Sequence, residues 1–184
     1  MAASLMFGAS VASAAGFGDA TGYGNVGFGV VEGRQITIET VTARLGARFG
    51  SYVGVEGEVS VGINKDRFIY SPPCAVPVCP LFAILSPAGI SNAEAVYAVG
   101  YFPVWKNADL FARVGYGVTN ISSVVQGSAV QSVNIGAGAQ YFVDDSNGLR
   151  IEFTRATFNN NSVVGKEALG SGASVWSLAY TRRF

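Results

Sequence analysis

The chain has 184 residues, with 12 Lys and Arg, 12 Asp and Glu and no His, so its formal net charge is zero. That balance excludes the basic footprint of a nucleic-acid binder. The lack of histidine removes the commonest general base and metal ligand, and two cysteines cannot build a closed four-ligand zinc site. Charged residues make up 13%, about half the usual soluble share, and 24 glycines are nearly twice the average.

Residues 1–14 read as the end of a secretory signal. A short apolar run through Leu5, Met6, Phe7 and Val11 closes on Ala12-Ser13-Ala14, with small residues at both positions that a signal peptidase reads. The basic start of such a signal is missing, as in a truncated one; a small-residue loop or extra strand is the other reading. Export places Cys74 and Cys79 in an oxidising compartment, where a disulfide between them is expected; two free thiols of a cytosolic protein are the alternative. Residues 15–184 then form one domain.

From Tyr23 onward the chain alternates with period two. The first segment, about 22–31, sets Val26, Phe28 and Val30 against Asn25, Gly27 and Gly29. The second, about 36–48, sets Val41, Ala43, Leu45 and Ala47 against Thr42, Arg44, Gly46 and Arg48. Its first residues, Ile36 and Ile38, are out of phase, which predicts either a bulge near Glu39-Thr40 or emergence from a membrane. The third, about 51–63, opposes Val53, Val55, Val59 and Val61 to Gly54, Glu56, Glu58 and Ser60. A long loop over 64–92 follows, and Pro72, Pro73, Pro77, Pro80 and Pro87 forbid a spanning helix there.

The fourth segment, about 93–104, is read with Ala95, Tyr97, Val99 and Tyr101 on the bulky face and Glu94, Ala98 and Gly100 opposite. The fifth, about 108–120, sets Leu110, Val114 and Tyr116 against Arg113, Gly115 and Gly117. In the sixth, about 128–143, Val133, Ile135 and Tyr141 oppose Asn134, Gly136 and Gln140. The seventh, about 149–158, opposes Leu149, Ile151 and Phe153 to Arg150 and Glu152. The eighth, about 172–184, opposes Trp176, Leu178, Tyr180 and Phe184 to Ser177, Thr181 and Arg183.

Eight such segments, joined alternately by tight polar turns and mostly longer loops, predict an all-β protein. The fold expected is an eight-stranded antiparallel up-and-down transmembrane β-barrel. Both a soluble barrel and a membrane barrel alternate this way, so the chemistry of the two faces decides. One face is bulky and apolar. The other collects glycine with Arg44, Arg48, Glu56, Glu58, Glu94, Arg113, Arg150, Glu152 and Arg183. Near-equal numbers of each sign suit an enclosed ion-pair network in a narrow lumen, because unpaired buried charge is costly. A lipocalin-like soluble barrel, with the apolar face inward, is the competing reading.

The segments Tyr23-Gly24-Asn25-Val26-Gly27-Phe28-Gly29, Leu110-Phe111-Ala112-Arg113-Val114-Gly115-Tyr116-Gly117, Gly136-Ala137-Gly138-Ala139-Gln140-Tyr141 and Leu178-Ala179-Tyr180-Thr181-Arg182-Arg183-Phe184 carry a resemblance. Over about 22–184 the chain resembles the small outer-membrane β-barrel proteins of Gram-negative bacteria, the OmpA-transmembrane-domain-like and opacity-like porin group. The resemblance implies location in the cell outer membrane, among its lipids and lipopolysaccharide. It also implies Phe184 and Tyr180 as the signal read by the barrel-assembly machinery; Arg182 departs from the family's apolar preference at its position.

Three functions compete. A structural or surface-interaction barrel would work through its external loops, with 64–92 as the possible ligand-contacting loop. A Cys74–Cys79 ring would stiffen that loop and lower the entropy cost of binding, or merely protect it from proteases. A narrow pore of small conductance is the second reading, limited by a lumen that side chains fill. An enzyme is not expected: related barrels that edit lipid A use histidine, which is lacking here, and no nucleophile–base pair can be named. No catalytic, metal or cofactor site is predicted, and no nucleic-acid partner.

Overall fold

Alternation of branched or aromatic side chains with small polar ones gives each segment one favourable form, a pleated strand with two chemically different faces. The computed structural model describes residues 20–70, 84–123, 128–159 and 169–184. The signal reading at 1–14, the Cys74–Cys79 pair and the middle of the 64–92 loop lie outside the described residues. The strands are β1 (Ala20–Glu32), β2 (Thr37–Phe49), β3 (Val53–Gly62), β4 (Asp66–Tyr70), β5 (Ile84–Trp105), β6 (Ala108–Ser123), β7 (Ser128–Phe142), β8 (Asn147–Asn159) and β9 (Gly172–Arg183). The sheet runs β3-β2-β1-β9-β8-β7-β6-β5 with every pairing antiparallel, and β3 returns to β5, closing a barrel of eight strands.

The extra strand corrects the loop expected at 64–92. β5 begins at Ile84, well before the predicted 93, and β4 pairs with its first part, Asp66 opposite Ala88 and Tyr70 opposite Ile84. β4 continues the line of β3 after a break at Ile63-Asn64-Lys65, and a register irregularity between Ile90 and Asn92 marks β5 nearby. Together they carry a two-stranded ribbon beyond the wall. Pro87 sits in that ribbon opposite Arg67, where an edge tolerates the missing amide hydrogen.

Three tight turns join β2 to β3, β5 to β6 and β7 to β8. The first uses Gly50 at φ 62°, a left-handed conformation that glycine adopts without a Cβ clash. In transmembrane barrels such turns face the periplasm and longer connections face outward. The opposite end, with β4 and the start of β5, is therefore external.

The out-of-phase start of the second segment has a definite cause. β2 pairs with β1 without interruption from Thr37 to Phe49, so there is no bulge at Glu39-Thr40. Ile38 simply points inward on the same face as Thr40, Thr42 and Arg44, and is fully buried. The lining itself changes. Val31, Ile36, Ile38, Ile90, Ile121, Val130 and Leu169 pack together at the external end of the lumen. There Thr37 and Glu39 face out. Over the membrane-spanning part the chemistry is reversed: Phe28, Leu45, Val96, Ile135, Ile151 and Leu178 are outward and more than half exposed, as hydrocarbon solvent requires. The wall thus changes from membrane-type to soluble-type packing near its outer rim.

Candidate functional site

The lumen at mid-barrel is built by residues two apart on alternating strands, which share the inner face. Arg44 on β2, Arg113 on β6 and Arg150 on β8 meet Glu56 and Glu58 on β3 and Glu152 on β8. Arg44 Nε donates to Glu58 Oε2 at 2.6 Å and its Nη2 approaches Glu152 Oε1 at 3.4 Å. Arg113 pairs with Glu58 at 2.8 Å, with Glu56 at 3.5 Å and also with Glu152. Arg150 reaches Glu152 at 2.8 Å and Glu56 through two nitrogens, one at 3.2 Å. Every carboxylate touches at least two guanidinium groups and the six charges cancel, which is how buried charge is tolerated in a low dielectric.

A second cluster lies toward the periplasmic mouth. Asp109 accepts from Arg48 at 2.8 Å, from Gln140 at 2.8 Å and from Arg183 at 3.3 Å. Between the clusters stand tyrosines: Tyr101 donates to Tyr23 at 2.7 Å, and Tyr23 donates to Glu56 at 2.8 Å. Tyr97 donates to Glu58 at 3.4 Å and accepts from Asn134 at 3.0 Å.

Arginines also stack on the aromatic rings, Arg113 over Tyr97 at 3.9 Å, Arg150 over Phe111 at 3.8 Å and Arg48 over Tyr101 at 4.4 Å. Such contacts strengthen when desolvated. The rings find room because glycine lies directly opposite: Tyr23 pairs with Gly46 and Tyr97 with Gly115, and a Cβ at either glycine would strike the ring. Part of the high glycine content is thereby explained as close approach in a narrow lumen.

Eight of the nine charges expected on the inner face thus come together in two clusters. Glu94 does not. Its side chain is exposed on the outer face, where it accepts from Asn92 Nδ2 at 3.2 Å. The whole fourth segment is read in the opposite phase: Tyr97, Val99 and Tyr101 face the lumen, while Val96 and Phe102 face lipid at 66% and 67% exposure. Both faces of this strand carry large apolar groups, so alternation did not decide, and taking a charge as inward chose the wrong phase. The hydroxyls of Tyr97 and Tyr101 settle the matter physically, since lipid offers them no partners. Asp109, Tyr23 and Phe111 were also missed; Asp109 shares the inner face with Arg113, four residues on, a spacing that could have revealed it.

Tyr180 and Phe184 lie on the outer face at the end of β9, both exposed, with Phe184 N–H donating to Gly22 O at 2.8 Å. Among the described residues, no group of three His, Cys, Asp or Glu is placed to hold a metal.

The family model for the outer membrane protein beta-barrel domain matches residues 1–184. No curated protein matches the sequence. Among solved structures, OprG of Pseudomonas aeruginosa is similar with a TM-score of 0.64 and 10% identity, covering 89% of this chain and 96% of that one. Ail, the attachment invasion locus protein of Yersinia pestis, was solved with the heparin analogue sucrose octasulfate. It is similar with a TM-score of 0.57 and 14% identity, covering 90% and 99%. The N-terminal β-barrel domain of P. aeruginosa OprF gives 0.55 and 14%, covering 89% and 97%.

Proposed function

The chain belongs to the outer membrane protein β-barrel family, and from that premise we propose that it is a closed, rigid platform whose work is done by its external connections. The observation that carries this reading is the filled lumen. Arg44, Arg113, Arg150, Glu56 and Glu152 are each at most 4% exposed, and an apolar layer lies beyond them at the external end. A barrel so packed offers its outer surface for function rather than a path for solutes, which weighs against the narrow-pore reading.

The principal contact element is the connection over 64–92, rooted on the β4–β5 ribbon. Charge argues for the kind of partner. External Arg34, Lys65, Arg67 and Arg155 are matched by Glu32, Glu39, Asp66 and Glu94, so no cationic field favours a polyanion. The sequence Pro80-Leu81-Phe82-Ala83-Ile84-Leu85 instead supplies an apolar centre suited to a protein partner. This differs from the sulfated ligand bound by Ail. A Cys74–Cys79 ring would stiffen the loop and reduce the ordering cost of contact. Lipopolysaccharide surrounding the outer rim is a further partner in this reading, as is the assembly machinery acting on Tyr180 and Phe184.

The test is adhesion of cells displaying the protein to surfaces coated with extracellular-matrix proteins or with heparin. Replacing residues 71–83 by a short Gly-Ser linker should abolish binding to protein, while the barrel should still run as a folded band on an unheated SDS gel. Binding that survives this deletion, or that occurs on heparin alone and vanishes with salt, overturns the proposal.

A further inference from the structure

The wall opens on its outer face where β3 gives way to β4. β3 and β5 pair as far as Ser60 opposite Ala93, and β4 and β5 pair from Asp66 opposite Ala88. Residues 61–65 and 89–92 therefore face each other without a ladder, and Ser91 is the extra residue of the β5 irregularity. Such breaks leave backbone polar groups available to other partners. A cleft of about 340 Å³ lies there, lined by Asn64, Lys65, Gly89, Ser91 and Ser122 among others. That volume is ordinary for a small-molecule site. Its level follows from the outer face beside it. On β5 Val96 gives way to Glu94 and Asn92, and on β6 Tyr116 and Val118 give way to Asn120 and Ser122. Asn120 Nδ2 donates to Asn92 Oδ1 at 3.2 Å, and Asn92 Nδ2 donates to Glu94 Oε1 at 3.2 Å. The cleft thus lies just beyond the bilayer boundary, level with lipid headgroups.

Its polar groups are largely uncommitted. Lys65 and Ser91 are exposed, and neither side chain has a hydrogen-bond or ion-pair partner among the described residues. Asn64 uses Oδ1 to accept from Glu39 N–H at 2.8 Å, which leaves its Nδ2 to donate. Ser122 Oγ reaches Gly89 O at a long 3.4 Å. Gly89 is buried under the lysine stem: a Cβ there would stand 3.0 Å from Lys65 Cγ and 3.3 Å from Asn64 O. We propose that this cleft binds a sugar bearing one anionic group, presented from the side by a glycolipid of the outer leaflet. The proposal rests on the reading of lipopolysaccharide as a rim partner and names where it is held. The Lys65 ammonium takes the carboxylate or phosphate, while Asn64 Nδ2 and the serine hydroxyls take sugar hydroxyls. Asp66 is occupied by the N–H groups of Thr37 and Arg67, and Glu39 and Glu94 are exposed nearby, so the local field admits a single anion rather than a polyanion. Confinement to the leaflet raises the effective concentration of the sugar at the cleft, an advantage that a free saccharide lacks.

The deciding measurement is NMR on the full chain in phospholipid nanodiscs containing increasing fractions of lipopolysaccharide with only its inner-core sugars. Amide shifts at Lys65, Gly89 and Ser91 should saturate, with no comparable shift at Arg155, an exposed cation elsewhere on the outer face. Lys65→Gln should raise the half-saturating fraction about tenfold, as for loss of one charge-assisted hydrogen bond. Gly89→Ala, which crowds the cleft without touching its charge, should weaken binding too, and both variants should run as folded bands on unheated SDS gels. Delipidated core oligosaccharide should give the same shifts only at much higher concentration. Equal shifts at Arg155 and Lys65 overturn the proposal, since they mean diffuse attraction to the rim. An unchanged half-saturation in Lys65→Gln, or the same shifts with lipid A lacking core sugars, does so as well. Binding of the free oligosaccharide without binding of the glycolipid refutes the membrane source. The variant with residues 71–83 replaced should keep these shifts, so failure of protein adhesion and failure of this site are read separately.

Discussion

Replacing Arg150 with Met is the sharpest test of how the lumen is held. Arg150 is 1% exposed and its guanidinium binds both Glu56 and Glu152 while lying 3.8 Å over Phe111. Methionine keeps an unbranched stem in the same place but removes the charge, leaving three carboxylates facing two arginines. Breaking a buried pair from one side costs about 3–5 kcal/mol. Here the low end is expected, because Glu152 keeps Arg44 and Arg113, and Glu56 keeps Arg113 and the Tyr23 hydroxyl. A loss of about 3 kcal/mol moves a urea midpoint by roughly 1–3 M for ordinary slopes. Unfolding in lipid vesicles, followed by loss of the folded band on unheated SDS gels, reads it directly. Adding Glu56→Gln restores neutrality, so the double variant should be less destabilised than the sum of the single changes by about 1–3 kcal/mol. Glu94→Gln provides the contrast: an exposed outer-face charge, its loss should stay within about 0.5 kcal/mol. An Arg150→Met barrel as stable as the parent, or a Glu94→Gln barrel equally damaged, would falsify this account of the lumen.

Gly46→Ala pushes a methyl group into the Tyr23 ring and should cost about 1–3 kcal/mol. Pairing it with Tyr23→Leu, which vacates the ring's position, should recover part of that loss, and no recovery refutes the steric explanation. Ile38→Ala removes a fully buried side chain from the external apolar layer and is expected to cost about 2–5 kcal/mol in the same unfolding assay. A negligible cost would mean that this layer is not packed. In the β7–β8 turn the Asn147 side-chain amide, helped by the backbone N–H groups of Ser146 and Asn147, holds Asp144 below the usual carboxylate range. Its contribution to stability is therefore present above the ordinary carboxylate pKa and fades as pH falls through the lowered folded value. An NMR titration should place the Asp144 midpoint below that of a free aspartate, and a midpoint at the free value refutes the turn geometry.

Most of the wall was legible because two solvents act on opposite faces of each strand. In the membrane-spanning part of the other seven segments most outward positions carry aliphatic or aromatic residues, and glycine, hydroxyl, amide or charge predominates at the inward ones, so the period of two fixes both strand and orientation. In the fourth segment both faces are apolar and Glu94 is the single charge. Alternation there leaves the phase open, and the deciding contacts come from β1, β3 and β7, far away in sequence. The same distance hides the partners of each arginine. Arg150 and Glu56 are 94 residues apart, and no local pattern states that closure of the barrel brings them together.

The second segment shows why emergence from the membrane can imitate an irregular backbone. Its pleat is continuous through Glu39 and Thr40, yet the apolar face changes sides between Ile38 and Val41. In the bilayer an outward valine is solvated by hydrocarbon. A few residues further out, the same outward direction meets water, so Glu39 faces out and Ile38 turns in. A change of solvent along an unbroken strand therefore inverts the pattern without shifting register, whereas a bulge would shift register as well. The two signals become separable once the neighbouring strands are compared. Val31 on β1, Ile90 on β5, Ile121 on β6 and Val130 on β7 are also inward at the external end, while inward positions deeper in the barrel are, apart from Val99 and Ala179, polar, aromatic or glycine. Inversion on all of these strands marks the bilayer boundary, because a bulge disturbs one strand and a change of solvent acts on the whole circumference.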